Sequence, residues 1–279
     1  MEIAPGIHNV ITEPAPAPGV TNTYLIVGTA GAIWVDTGWN RAGEAQARID
    51  YWHAVGSPHL KGIVVTHRHP PHWGNAPAIQ KVTGAPIIST ATEKDAIEEG
   101  MAGARVDSVV QDGETLGLGD VTIEFVHAPG HTYGSLAAFI RERKALFAGD
   151  NVMGTGTSVV NPGEGEIALF LQTMEKFRRY DPAVIYPGQG PVITNPQAKL
   201  RELIQHRRER EDQIVDLLTR GPKSVADLVR IIYSGLDEQL RHLARNQVVS
   251  HLIKLENEGR VSASGQLYRV KNMGATRIP

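Results

Sequence analysis

Three histidines stand within six positions of THRHPPHWGN, residues 66–75. His67 and His69, at i and i+2, lie on a loop leaving the apolar run KGIVVT, so their imidazoles can turn toward one point. A third ligand must then come from a distant segment. HAPGHTYGS supplies His131, flanked by Gly130 and Gly134, and LFAGD supplies Asp150. Three histidines and a water make an open tetrahedral zinc site, where the metal lowers the water's pKa to roughly 7 and readies it to attack a carbonyl or phosphoryl centre. Ferrous iron also suits an open site of histidines and carboxylate. The chain has no cysteine, which excludes thiolate ligands, thiol nucleophiles and disulfides.

Each candidate ligand follows an apolar strand, which predicts that they share one edge of a sheet. TNTYLIVG and GAIWVDTG read as strands around the Gly28–Gly31 turn, and RAGEAQARIDYWHAVG as a helix ending near Gly56. KGIVVTH reads as a buried strand delivering His67. NAPAIQKV (helix), APIIST (strand) and ATEKDAIEEG (helix) follow. From 108 to 148 strands dominate: VTIEFVHAPG, SLAAFI and ALFAGD. Residues 166–180 read as a helix and AVIYPG as a last strand. Pro71 is expected at the first position of a short helix opening near His72, with Pro70 held outside it by the proline that follows.

The character changes beyond PGQGPVITNP. QAKLRELIQHRREREDQIVDLLTRG reads as a long polar helix, SVADLVRIIY and NQVVSHLIKLENEG as two more, and GRVSASGQLYRV as a hairpin. That is a winged-helix order, and it divides the chain into residues 1–194 and 195–279. Net charge divides with it: 13 lysines and arginines against 20 acids in the first part, 15 against 10 in the second. A basic tail fits an anionic substrate or partner. No apolar run is long enough for a membrane helix and no secretory leader pattern opens the chain, so a cytoplasmic protein is expected.

TYLI, VDTG, THRHPPHWGN, APGHTYGS, FAGD and YPGQGP occur in the order of the metallo-β-lactamase superfamily, and the chain resembles that family from about residue 20 to 192. Its tail resembles the winged helix of the subfamily containing mitochondrial endoribonucleases and carrier-protein thioesterases. The resemblance implies an α+β fold: an αββα sandwich followed by a small winged-helix domain. It assigns His67, His69 and His131 to a first metal site, Asp150 to the carboxylate bridging two metals, His72 to the second site, and Asp36 to an acidic position behind the ligands. Two positions depart. Pro71 replaces the aspartate of the H-x-H-x-D-H pattern, and Gln189 replaces the histidine of PGHGP. Both changes strike the second metal, so one well-occupied zinc site is expected beside a weak or empty one.

The implied activity is hydrolysis of an ester or thioester, with Asp150 or His72 as general base. The substrate would be a small molecule or acyl thioester, expected to be anionic in keeping with the tail. Alternatives are an endoribonuclease on single-stranded RNA and a weak or non-catalytic metal-binding protein. Against RNA, Tyr233 and Tyr268 are the tail's only stacking groups. Arg201, Arg207, Arg208 and Arg210 could meet phosphates, yet the interleaved Glu209 and Glu211 favour a solvated helix face. His127 could point either way from its strand and is set aside. His8, His53, His59, His206, His242 and His251 read as ordinary surface or core residues. Loops 8–20 and 151–165 are expected to shape the substrate site.

Overall fold

A computed structural model describes residues 1–11 and 20–271. Loop 8–20 therefore lies largely outside the described residues. Seven strands form the first sheet, in chain order: β1 (Glu2–Ala4), β2 (Ile7–Asn9), β3 (Tyr24–Gly28), β4 (Gly31–Val35), β5 (Leu60–Val64), β6 (Ile87–Ser89) and β7 (Ser108–Val109). The first four run antiparallel, and β4 to β7 run parallel. The second sheet has the order β12-β11-β10-β9-β8, from β8 (Thr115–Gly117), β9 (Thr122–His127), β10 (Leu136–Ile140), β11 (Ala145–Gly149) and β12 (Val184–Pro187).

Both sheets are covered on both faces, which is why their strands read as nearly continuous apolar runs. Tyr24, Ile26, Ile33 and Val35 meet Phe125, Leu136, Ala138 and Phe147 between the sheets. The alternate residues Leu25, Ala32 and Trp34 point outward. They pack under α1 (Glu44–Ala54), α3 (Ala76–Thr83) and α4 (Ala91–Gly100); the short α2 (Pro70–Trp73) precedes α3. On the other face Val126, Phe139 and Leu146 pack under α5 (Ile167–Tyr180) and the first half of α6 (Pro196–Thr219). The result is the expected four-layer αββα body.

The tail adds α7 (Val225–Ile232), α8 (Arg241–Asn257) and a three-stranded sheet of order β13-β15-β14: β13 (Lys223–Ser224), β14 (Val261–Ser264) and β15 (Leu267–Val270). Ser224 and Asp227 form a reciprocal capping box that starts α7. α6 serves both parts. Leu200, Leu203 and Ile204 enter the body's core, and Ile214 and Leu218 enter the tail's. The division at 194/195 falls just ahead of this shared helix. Among the described residues, no helix is long and apolar enough to cross a membrane.

Two readings of local structure are corrected. α2 starts one residue early: His69 is its N-cap, extended at φ −73° and ψ 138°, and Pro70 and Pro71 fill the first turn. The residue kept out of helical geometry is thus His69, which precedes a proline. Both prolines fit because first-turn N–H groups have no helical partner anyway. The second correction concerns α6, which is not a solvated face throughout: Arg207 and Glu211 are buried, while Arg201 and Arg208 are exposed.

Candidate metal centre

His67 and His69 follow β5, His131 follows β9, Asp150 follows β11, Gln189 follows β12, and Asp36 follows β4. All therefore gather at one end of the sandwich. Gly130 makes the turn before His131 at φ 148°, where a Cβ would lie 2.4 Å from the Phe170 Cα. Any larger residue there would push α5 away from the loop.

The triad closes tightly. His67 Nε2 lies 3.0 Å from His69 Nδ1 and 3.2 Å from His131 Nε2, and His69 Nδ1 lies 3.0 Å from His131 Nε2. Ligand nitrogens about 2.05 Å from a tetrahedral zinc ion sit about 3.3 Å apart, so this triangle is close to one face of such a site. The remaining ring nitrogens are anchored from outside. His131 Nδ1 donates to the Val159 carbonyl at 2.7 Å. Thr66 Oγ1 donates to Asp36 at 2.9 Å and so presents a lone pair to His67 Nδ1 at 3.0 Å. His69 Nε2 lies 3.4 Å from Glu164. These contacts turn three imidazole lone pairs toward the centre, the arrangement that metal-binding histidines need. Burial pushes His67 well below the usual histidine range and His131 down to about 4, which keeps both neutral. The residues present fit a divalent metal.

The adjoining half is built from charge. His72 Nδ1 donates to Asp36 Oδ2 at 2.7 Å, while its Nε2 lies 3.3 Å from Asp150 Oδ2. Burial alone would depress His72, but the carboxylates of Asp150 and Asp36 outweigh it and lift it to about 10. Burial would raise Asp150, yet the His72 charge and hydrogen bond take it to about 2. Gln189 Nε2 donates to Asp150 at 2.7 Å. Asp36 reaches His72, Thr66 and the Thr66 amide from a left-handed backbone at φ 58°, a conformation aspartate tolerates better than most residues. His72 Nε2 and Asp150 Oδ1 are buried without hydrogen-bond partners among the described residues, and His67, His72 and Asp150 group as a second potential ligand set. His127 joins neither group among the described residues.

The metallo-β-lactamase superfamily model matches residues 16–189. The chain belongs to the metallo-β-lactamase superfamily. A β-lactamase-associated winged-helix model matches residues 224–269. The β-lactamase-like protein 2 homolog of Caenorhabditis elegans is 30% identical over 86% of this chain and 79% of its own. The atrochrysone carboxyl ACP thioesterase of Emericella nidulans is 28% identical over 94% of this chain and 81% of its own. A β-lactamase domain protein from Burkholderia ambifaria shares the fold with a TM-score of 0.85 and 20% identity, over 97% of this chain and 93% of that one. The chain is thus a hydrolase of the metallo-β-lactamase fold.

Within this superfamily frame, several supporting residues had no sequence signal. Glu93, fully buried in α4, accepts from the Arg68 amide at 2.9 Å, from Arg68 Nε at 2.8 Å and from the Gly134 amide at 2.9 Å. It thereby ties the THRHPPHWGN loop to the HAPGHTYGS loop. Asn151 Oδ1 accepts from the His131 amide at 3.3 Å. Within loop 151–165, expected to shape the substrate site, Val159 and Glu164 reach His131 and His69. The tail clamps this loop in turn: Ser250 donates to the Val160 carbonyl at 2.7 Å, Gln247 to the same carbonyl at 3.2 Å, and Asn246 to Asn161 at 3.1 Å. Arg207 adds bonds to Thr157, to the Ser158 carbonyl and to Gln247.

Proposed function

We propose that this chain is a metal-dependent hydrolase of acyl thioesters that works with one well-held ion, zinc for preference. The observation that carries the reading is the triangle of His67, His69 and His131 nitrogens at 3.0–3.2 Å, each ring fixed from behind. When bound there, a divalent metal supplies Lewis acidity toward the substrate carbonyl and toward the attacking water. The rest falls to the chain. Asp150, held at about 2, is ionised at any working pH, and its carboxylate is the group that orients the water and accepts its proton. A carboxylate this acidic relays a proton rather than storing it. His72 already holds a proton between Asp36 and Asp150, so it steadies the Asp150 charge and is the poorer base. Gln189 keeps one Asp150 oxygen occupied.

The thioester preference rests on the thioesterase-named relatives, which align over most of this chain. An RNA reading draws no comparable support from the tail. α8, the helix that could enter a groove, is buried through Gln247, Ser250 and His251 between the body and the tail's own core. The test is metal analysis of protein purified without chelators, joined to assays on an acyl thioester, an aryl ester and single-stranded RNA. About one metal per chain with thioester turnover is expected. Cleavage of RNA without thioester turnover would overturn the reading.

A further inference from the structure

A second polar site lies in the seam between body and tail. A cavity of about 220 Å³ is walled on one side by Thr157, Ser158 and Val159 and on the other by α6, α8 and the turn before α8. None of the candidate metal ligands lines it. Four of its side chains are basic: His206, Arg207, Arg210 and His251. Arg207 and His251 are buried, at 1% and 0% exposure. Arg207 spends both terminal nitrogens on Gln247, Thr157 and Ser158, but its Nε has no hydrogen-bond partner among the described residues. The same holds for Arg210 Nε, His206 Nδ1 and both nitrogens of His251.

A buried donor left without an acceptor is costly, and a charged one more so. The acid Glu211 faces His251 alone among them, beyond hydrogen-bond distance. Glu211 Oε1 stays 3.6 Å from His251 Nδ1, its Oε2 is committed to Lys254 at 2.9 Å and Arg260 at 3.4 Å, and Glu211 does not line the cavity. The lining therefore holds four basic side chains and no acid. The remaining wall is apolar, with Leu240, Leu243 and Ala244 facing the donors. Tyr233 and Leu236 also line a neighbouring hollow of about 650 Å³. Inorganic anions have no use for such walls, and neutral lipids none for the arginines.

We propose that this cavity binds an amphiphilic carboxylate, its oxygens meeting Arg207, Arg210 and His251 and its chain lying along Leu240, Leu243 and Ala244. The site is separate from the metal centre, although its Ser158–Val159 wall is the backbone that holds His131 Nδ1.

The test is calorimetric titration of the full chain with sodium octanoate, before and after chelation of metal. Octanol supplies the chain without the charge, and acetate the charge without the chain. One equivalent of octanoate should bind in both metal states, with octanol and acetate at least about tenfold weaker. Arg210→Met, at a half-exposed position, and Ala244→Leu, which fills the cavity, should each weaken octanoate by about tenfold or more while melting like the parent. Should Arg210→Met fail to fold, Ala244→Leu decides. The proposal is overturned if octanoate does not bind, if chelation abolishes binding, if octanol binds equally well, or if folded variants bind like the parent.

Discussion

Two polar clusters are buried in this chain, and they face inward with opposite sense. At the sandwich edge, lone pairs of three neutral histidines converge, and the N–H groups are turned outward to Val159 and Thr66. Under the tail, Nε of Arg207, Nε of Arg210 and the ring nitrogens of His251 have no hydrogen-bond partner among the described residues, and no acid lines the cavity beside them. The first arrangement suits a cation and the second an anion, although buried histidines stand in both. Orientation, fixed by the neighbours behind each ring, decides the ligand. Segment 157–160 separates the two and belongs to both.

The sharpest way to break this comparison is to remove one converging lone pair. His69→Ala should reduce metal content from about one per chain to a small fraction. Hydrolysis of whichever thioester proves active should fall more than about a hundredfold. Elemental analysis and initial rates check both. Full activity in the alanine variant would rule out the triad as the working centre.

The tail cluster should answer to acid before the triad is touched by substitution. Burial holds His251 at about 4, below its ordinary 6.5. The unfolded chain therefore takes up the proton first, and stability falls as pH drops from 6.5 toward 4, by about 3 kcal/mol from this residue. Above 6.5 the residue contributes no pH dependence. Urea melts at pH 7 and pH 4.5 should show the parent losing about 2 kcal/mol more than His251→Gln, whose side chain does not titrate. Equal losses in the two proteins would mean that His251 is not held neutral by the fold.

The first cluster was far more legible than the second. His67, His69 and His72 crowd six residues of sequence, and apolar strands before His131 and Asp150 signal a common sheet edge. The αββα order is legible for the same reason, since buried strands and amphipathic α5 leave periodic apolar runs. The seam leaves no such trace. Arg207 and Glu211 interrupt a polar helix whose buried polar network is indistinguishable, in sequence, from a solvated face. Glu93 and Glu164 matter only because folding brings them to Arg68 and His69, 25 and 95 residues away. The short strands β1 and β2, broken by Pro5 and Gly6, also fall below the length at which alternation can be read.

Segment 157–160 can be loosened from the tail side. Arg207→Met keeps the bulk against Phe170 but removes the bonds to Thr157 and Ser158. His131 would keep its Val159 contact on a less constrained backbone. Metal affinity should weaken by roughly tenfold, the lower end of what lost supporting contacts cost a metal site. Competition with a fluorescent chelator measures it. An unchanged affinity would show that the two clusters share a wall without sharing a load.

The smallest expected effect concerns the half-site beside the triad. His72 and Asp150 are two good ligands, but their charges already satisfy Asp36 and each other. Pro71 offers no side-chain donor atom, and Gln189 turns an N–H toward Asp150 where a second ion would want a lone pair. Pro71→Asp adds a carboxylate in the first turn of α2, where negative charge is tolerated by the helix dipole. Gln189→His exchanges the donor for a possible ligand. Either change alone supplies three ligands and should leave stoichiometry near one. Together they supply four, and metal content should rise toward two per chain. If the double variant still holds one ion with the triad intact, the second half is closed by the proton His72 carries between its carboxylates. Missing ligands would then not be the reason.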